Sequence, residues 1–264
     1  VFDTLNAKAA LYAIENVLHE TKADIPVMVS VTIDESGRNL SGQTVEAFYN
    51  SLTAFPVFSI GLNCSFGPDK MLKYLEKIAA KAELAISTHP NAGLPDENGE
   101  YNLSPEQMAG HIKEYAEKGL VNIVGGCCGS KPEHIAAIAD AVNECTPRQT
   151  QKSEPTAHLS GLEALDVTND TPMLKIAEKT NVSGSRQFAK HIRDEQYDEA
   201  LEIARQQINE GCDMLNINLD ESMIETREVI KTFLNQLQAE PDIAKVPVML
   251  DSSDFEVLEN GLQC

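Results

Sequence analysis

Three cysteines stand where they could do chemistry together. Cys64 closes the apolar run Val57-Phe58-Ser59-Ile60-Gly61-Leu62-Asn63, and the adjacent pair Cys127-Cys128 closes Val121-Asn122-Ile123-Val124-Gly125-Gly126 before Gly129. Both runs read as strands followed by helical patterns, and the carboxyl ends of parallel strands are where α/β folds keep their chemistry. Three thiolates converging there make an open zinc site, with the fourth position left to a substrate. Two simpler readings stand beside it. The cysteines can be buried structural residues with one coincidental neighbour, or Cys127-Cys128 can be a redox pair, which disulfide geometry disfavours for adjacent residues. His89, at another strand end, can be a ligand, a donor to a ligand or a satisfied core residue. Gly125, Gly126 and Gly129 either admit close backbone approach around the thiols or form an ordinary turn. Cys145, Cys212 and Cys264 fall at a helix end, a strand start and the last residue, away from this group.

A second group is polar. Residues two apart in a strand share a face, so Asn216, Asn218 and Asp220 are predicted to point the same way at the end of the run from Cys212. Glu178 and Asn181 end the preceding strand, and Asp251 with Ser252 and Ser253 ends the following one. Acids and amides thus gather at one end of a sheet, either to bind a ligand or to cap helices and satisfy turns.

The elements that must position these residues follow a repeating pattern. Strand-like runs lie near Val27-Thr32, Val57-Asn63, Leu84-Thr88 and Val121-Val124, between helical patterns near Leu5-Glu20, Pro68-Ala82, Pro105-Lys118 and Pro132-Cys145. Proline opens three of the four helices, as suits a first helical turn. Residues 146–158 are polar, proline-bounded and aperiodic, and read as a linker. Beyond it come strand-like runs at Met173-Glu178, Cys212-Asn218 and Val246-Asp251, separated by helical patterns at Tyr197-Glu210 and Ser222-Gln238. Alternating βα units imply parallel sheets, and a complete (β/α)8 barrel needs about 250 residues. The expected fold class is therefore α/β: parts of two consecutive (β/α)8 TIM barrels, 1–145 and 159–264, joined by the linker and each incomplete within the chain.

Composition narrows the partners. Of 264 residues, 42% are apolar, enough for packed cores, and 41 acids against 21 bases give a formal charge of −20 spread along the chain. That charge argues against nucleic acid or an anionic membrane as partner. No leader pattern or long apolar run directs the chain to secretion or a bilayer. The expected compartment is the cytoplasm, where six cysteines suggest metal or catalysis before disulfides.

Several stretches together resemble the cobalamin-dependent methionine synthases, across their homocysteine-binding and folate-binding modules. They are Phe2-Asp3-Thr4-Leu5-Asn6-Ala7-Lys8, Ser41-Gly42-Gln43-Thr44, Gly61-Leu62-Asn63-Cys64, His89-Pro90-Asn91-Ala92-Gly93-Leu94-Pro95, Gly125-Gly126-Cys127-Cys128-Gly129 and Val246-Pro247-Val248-Met249-Leu250-Asp251-Ser252-Ser253. The resemblance implies that Cys64, Cys127 and Cys128 hold zinc, that homocysteine binds the metal as thiolate, and that Asn91 occupies or neighbours the open coordination position, with His89 and Gly126 close by. It implies a homocysteine barrel over 1–145 and a pterin barrel over 159–264, with Glu178, Asn181, Asn216, Asn218, Asp220 and Asp251 around 5-methyltetrahydrofolate as methyl donor.

Methylcobalamin would carry the methyl group on a module outside this chain, since no Asp-x-His-x-x-Gly pattern occurs in it. Two departures stand out. Asn216 replaces a usual acid, and Ala177-Glu178-Lys179-Thr180-Asn181 replaces a usual Gly-Glu-Arg-Thr-Asn run, so a planar guanidinium becomes an ammonium. The family's glutamate before Phe2 precedes the first residue, so homocysteine recognition is expected to be incomplete. Two other readings remain: a cobalamin-independent homocysteine methyltransferase, which has no need for a pterin module, and a non-catalytic zinc-binding fragment.

Overall fold

The computed structural model describes residues 1–150 and 157–264, which divide into two compact units, Val1–Pro155 and Thr156–Cys264. In the first, α1 (Thr4–Thr21), β1 (Met28–Val31), α2 (Val45–Leu52), β2 (Ser59–Cys64), α3 (Pro68–Ala79), β3 (Ala85–Pro90), α4 (Pro105–Glu117), β4 (Ile123–Val124) and α5 (Pro132–Val142) follow in order. The four strands pair in parallel in sequence order, with Ile60 opposite Val29 and Ile86. A parallel sheet whose neighbours follow the chain is the local geometry of a TIM-type domain.

Helix starts follow local chemistry. Asp3 caps α1 by accepting from the Asn6 N–H, Thr44 caps α2 through the Ala47 N–H, and Ser104 with Gln107 forms a reciprocal capping box ahead of Pro105. Alternation along the strands sorts side chains to two faces. Val29, Val31, Ile60, Leu62 and Ile86 join Phe48, Leu52, Met71, Leu75, Ile78 and Ile112 in one buried core between sheet and helices. The opposite face carries Ser30, Ser59, Asn63, Ser87 and His89, and there the Ser30 hydroxyl donates to Asn63 Oδ1 at 2.6 Å.

The second unit begins with an antiparallel hairpin, β5 (Ala157–Ser160) and β6 (Ala164–Val167), followed by β7 (Ile176–Ala177), α6 (Arg186–Arg193), α7 (Tyr197–Asn209), β8 (Met214–Ile217), α8 (Thr226–Gln238), α9 (Pro241–Ala244), β9 (Val248–Leu250) and α10 (Phe255–Leu262). β7, β8 and β9 form a parallel sheet in that order. Leu215 and Ile217 pack against Phe188 and Phe233, whose rings meet edge to face with centroids 5.6 Å apart. The hairpin is absent from the sequence reading. It docks by Leu162 and Glu163 N–H groups donating to the carbonyls of Ala244 and Lys245. The strand predicted at 173–178 shrinks to Ile176–Ala177, because polar Lys175 and Glu178 flank a very short apolar run.

Part of the expected linker, 151–156, lies outside the described residues. The described part behaves differently from a free tether. Arg148 is buried, its guanidinium donating to the carbonyls of Leu84, Ala79 and Ala82, and its own carbonyl accepts from Asn122 Nδ2 at 2.8 Å.

Candidate functional site

β2 ends in an unusual conformation. Cys64 and Ser65 both lie in the left-handed region, with φ of 56° and 68°, where each non-glycine residue costs about 1–2 kcal/mol. Two contacts hold them there. The Ser65 hydroxyl accepts the Ile33 N–H at 3.0 Å, and the Cys64 carbonyl accepts the Phe66 N–H at 2.8 Å. The reversal turns the Cys64 thiol toward the next but one strand end.

There the Cys127-Cys128 turn is bolted to the end of β3. The Cys127 N–H donates to the Pro90 carbonyl at 2.8 Å, the Ala92 N–H to the Cys128 carbonyl at 2.9 Å, and the Cys128 N–H to Asn91 Oδ1 at 3.1 Å. Asn91 is buried, and its side-chain oxygen is thus occupied with orienting the turn. Gly126 leaves room for the Ser130 side chain, whose Oγ would lie 2.1 Å from a Cβ at that position. His89 stands on the strand face beside Asn63, lies against the Gly125 backbone, and is held below its ordinary pKa by burial.

The three sulfurs meet. Cys64 Sγ lies 2.6 Å from Cys127 Sγ and 3.6 Å from Cys128 Sγ, and the Cys127–Cys128 separation is 4.0 Å. A tetrahedral metal with bonds of about 2.3 Å sets sulfurs about 3.8 Å apart. Two edges match that figure, and the third is shorter. No other group of three or more cysteine, histidine or acidic side chains among the described residues could hold a metal. The electrostatics also suit a cation. At Cys64, burial acts to raise the pKa, but hydrogen bonds from Cys127 and Cys128 outweigh it and the thiol is held low; at Cys127, burial and the adjoining Cys64 push it up to about 12. Thiols this close cannot all ionise without a positive partner, so the donor set fits zinc.

Two residues outside the sequence reading complete this end of the sheet. His134, buried at the start of α5, accepts the Lys131 N–H on Nδ1 at 3.2 Å and its Nε2 is 2.9 Å from the Leu103 carbonyl, a pairing that requires the neutral tautomer with hydrogen on Nε2. It ties the segment between β3 and α4 to the segment after the cysteine pair. Tyr101, on that first segment, lies with its ring against the Gly129 backbone. Neither is marked by periodicity or motif.

In the second unit the polar candidates separate into groups. Asn218 Nδ2 donates to Asp251 Oδ2 at 3.1 Å, joining the ends of β8 and β9. Asp220 faces the two serines instead, accepting from Ser252 Oγ at 2.6 Å and from the Ser253 N–H and Oγ at 2.7 and 2.9 Å. Burial opposes its ionisation, yet these hydrogen bonds prevail and keep its pKa below the usual carboxylate value. Asn181 Oδ1 caps a turn by accepting from the Ser183 and Gly184 N–H groups, and Glu178 is exposed. Asn216 is buried, and its Oδ1 has no hydrogen-bond partner among the described residues. The shared face predicted for 216, 218 and 220 ends at Asn218, because β8 stops at Ile217 and the chain turns before Asp220.

The first unit is thus an apolar-cored parallel α/β fold ending in a three-thiol cluster that could hold a metal ion. Comparison with known proteins agrees: a family model described as homocysteine S-methyltransferase matches residues 1–142, more than half of the chain, and a second, described as pterin binding enzyme, matches 177–264. The chain belongs to the homocysteine S-methyltransferase family, and the two matches in this order make it methionine-synthase-like. Among solved structures it is similar to the homocysteine methyltransferase MmuM from Escherichia coli in its oxidized form, at 18% identity and a TM-score of 0.38 over 49% of this chain. The chain spans 40% of that structure's length. No described helix is long and apolar enough to cross a membrane.

Proposed function

We propose that this chain carries the homocysteine-activating site and part of the methyl-donor site of a cobalamin-dependent methionine synthase, built on portions of two TIM barrels and working in the cytoplasm. The observation that carries this reading is the meeting of Cys64, Cys127 and Cys128 in a chain whose two matches pair a homocysteine methyltransferase with a pterin enzyme. Zinc bound by the three cysteines would lower the pKa of the homocysteine thiol, supplying a nucleophilic thiolate at neutral pH. Three anionic sulfur ligands keep that incoming sulfur electron-rich, which three neutral imidazoles would not. Asn91 serves by holding the Cys127-Cys128 turn, and the strained Cys64 turn aims the third ligand.

In the second unit, Asp251 and Asn218 offer a carboxylate and amide edge to the amino-pyrimidine side of methyltetrahydrofolate. Asp220 fixes the Ser252-Ser253 turn that carries Asp251, and Asn216 leaves a buried acceptor on the same side of the sheet. Glu178 and Asn181 flank the site at the end of β7. The corrinoid would be presented by a separate module. The pterin match favours this reading over a cobalamin-independent methyltransferase.

The test is proton release. Adding homocysteine to zinc-loaded protein in weak buffer near neutral pH should liberate about one proton per chain as the thiol ionises. Cys64→Ala should abolish the release; an equal release from both proteins would contradict the reading.

A further inference from the structure

The cysteine pair sits in backbone with little stiffness of its own. Gly125 and Gly126 precede it, and Gly129 follows it with φ of 77°, in the left-handed region that glycine enters freely. On its amino-terminal side the pair is held to the end of β3, through the Pro90 carbonyl and Asn91 Oδ1. On its carboxyl-terminal side Gly129 would let it swing, and Cys128 is the exposed member of the thiol group. A second restraint is needed there.

A closed circuit of hydrogen bonds supplies it. The Cys128 carbonyl accepts the Ala92 N–H at 2.9 Å, and the Ala92 carbonyl accepts the Leu103 N–H at 3.2 Å. The Leu103 carbonyl accepts from His134 Nε2 at 2.9 Å, and His134 Nδ1 accepts the Lys131 N–H at 3.2 Å. Lys131 lies three residues beyond Cys128, so the chain itself closes the ring. Inside it, the Ser130 N–H donates to the Cys127 carbonyl at 3.1 Å. Every other link joins backbone to backbone; His134 contributes the one side chain of the circuit, and it is buried. Hydrogen bonds shielded from water in this way are electrostatically stronger than exposed ones.

We propose that His134 is a positioning residue of the thiol site: by closing this circuit it fixes the Cys127-Cys128 turn from the side that Gly129 leaves loose, and so holds both sulfurs ready for the metal. This deepens the zinc reading and rests on it. Both ring nitrogens are engaged, so His134 acts through the backbone and not as a ligand. Ligands held in their binding geometry before the metal arrives lose less freedom when it binds, so the restraint is read out as metal affinity.

His134→Phe keeps a buried ring and removes both hydrogen bonds. The probe is cobalt(II) loaded into the full chain in place of zinc, followed by its thiolate-to-metal charge-transfer absorption during titration with a competing chelator. His134→Phe should hold cobalt about tenfold more weakly than the wild type, with an unchanged far-ultraviolet circular dichroism spectrum. Arg148→Met is the control for destabilisation alone, since it loses three hydrogen bonds to carbonyls ahead of β3, whereas the thiols lie beyond its other end. It should bind cobalt as the wild type does. Should His134→Phe not fold, His134→Gln takes its place with the same expected weakening, because it keeps an acceptor for the helix start, as Gln107 does for the Ser104 N–H in α4, and gives up the tie to Leu103. Equal affinity in the His134 variant and the wild type, or equal weakening in the His134 and Arg148 variants, would overturn the role of His134. Absence of a thiolate band in the wild type would instead overturn the metal reading, and the His134 inference with it.

Discussion

At the scale of single residues, the site depends on strain that is locally compensated. Cys64 and Ser65 occupy the left-handed region in succession, and the Ser65 hydroxyl holds the Ile33 N–H. Ser65→Ala should cost about 1–3 kcal/mol of unfolding free energy, because it keeps the strain and leaves a buried donor unpaired. Ser65→Gly loses the same acceptor but relieves the strain, so its net cost should be smaller; denaturant titration of both variants checks the order. A reversed order would mean that the hydroxyl does not hold the turn. Asp220 gives a pH prediction. Its folded pKa is depressed by Ser252 and Ser253, so its stabilisation is fully present above the ordinary carboxylate pKa of about 3.9 and is lost as pH falls through the lower folded value. Asp254, held down by Arg227, titrates in the same acidic window, so the test is a difference. The stability gap between wild type and Asp220→Asn should be constant near neutrality and narrow below about pH 4.

Elements bring these residues together, and here the sequence was legible in part. Strands β1 to β4 and helices α1, α3, α4 and α5 could be read from alternating apolar runs and from proline at the starts of α3, α4 and α5, because periodicity and cap chemistry are local signals; the short α2 was missed. The convergence of Cys64 with Cys127 and Cys128 was readable for the same reason: Cys64 ends β2, and the pair lies in the turn that follows β4. The β5–β6 hairpin was not, since its short runs alternate weakly and its stability comes from docking to Ala244 and Lys245. Nor was the grouping of Asn218 with Asp251 and of Asp220 with the serines, which depends on where β8 stops.

Tyr101 and His134 escaped because neither sits in a motif, and each acts through a contact distant in sequence. The bolt they form can be tested. His134→Leu removes the acceptor for Lys131 and the donor to Leu103, and should cost about 2–4 kcal/mol. Arg148→Met, which leaves three carbonyls without their shared donor, should cost a similar amount even though Arg148 lies in a stretch whose composition reads as linker. Thermal and denaturant unfolding measure both; an effect within about 0.5 kcal/mol would mean that the contact is replaced by water.

For the whole molecule, two units with separate cores carry two chemistries, a thiol cluster in one and a carboxylate and amide edge in the other. The proposed division of labour, thiol activation in the first and methyl-donor binding in the second, rests most heavily on metal in the first. Elemental analysis of zinc in the purified, reduced chain is therefore the decisive measurement, made beside Cys64→Ala and the Cys127→Ala/Cys128→Ala double variant. About one zinc per chain in the wild type, lost in both variants, is the expected result. Zinc-free wild type, or zinc retained equally by all three proteins, would contradict the thiol-activating site.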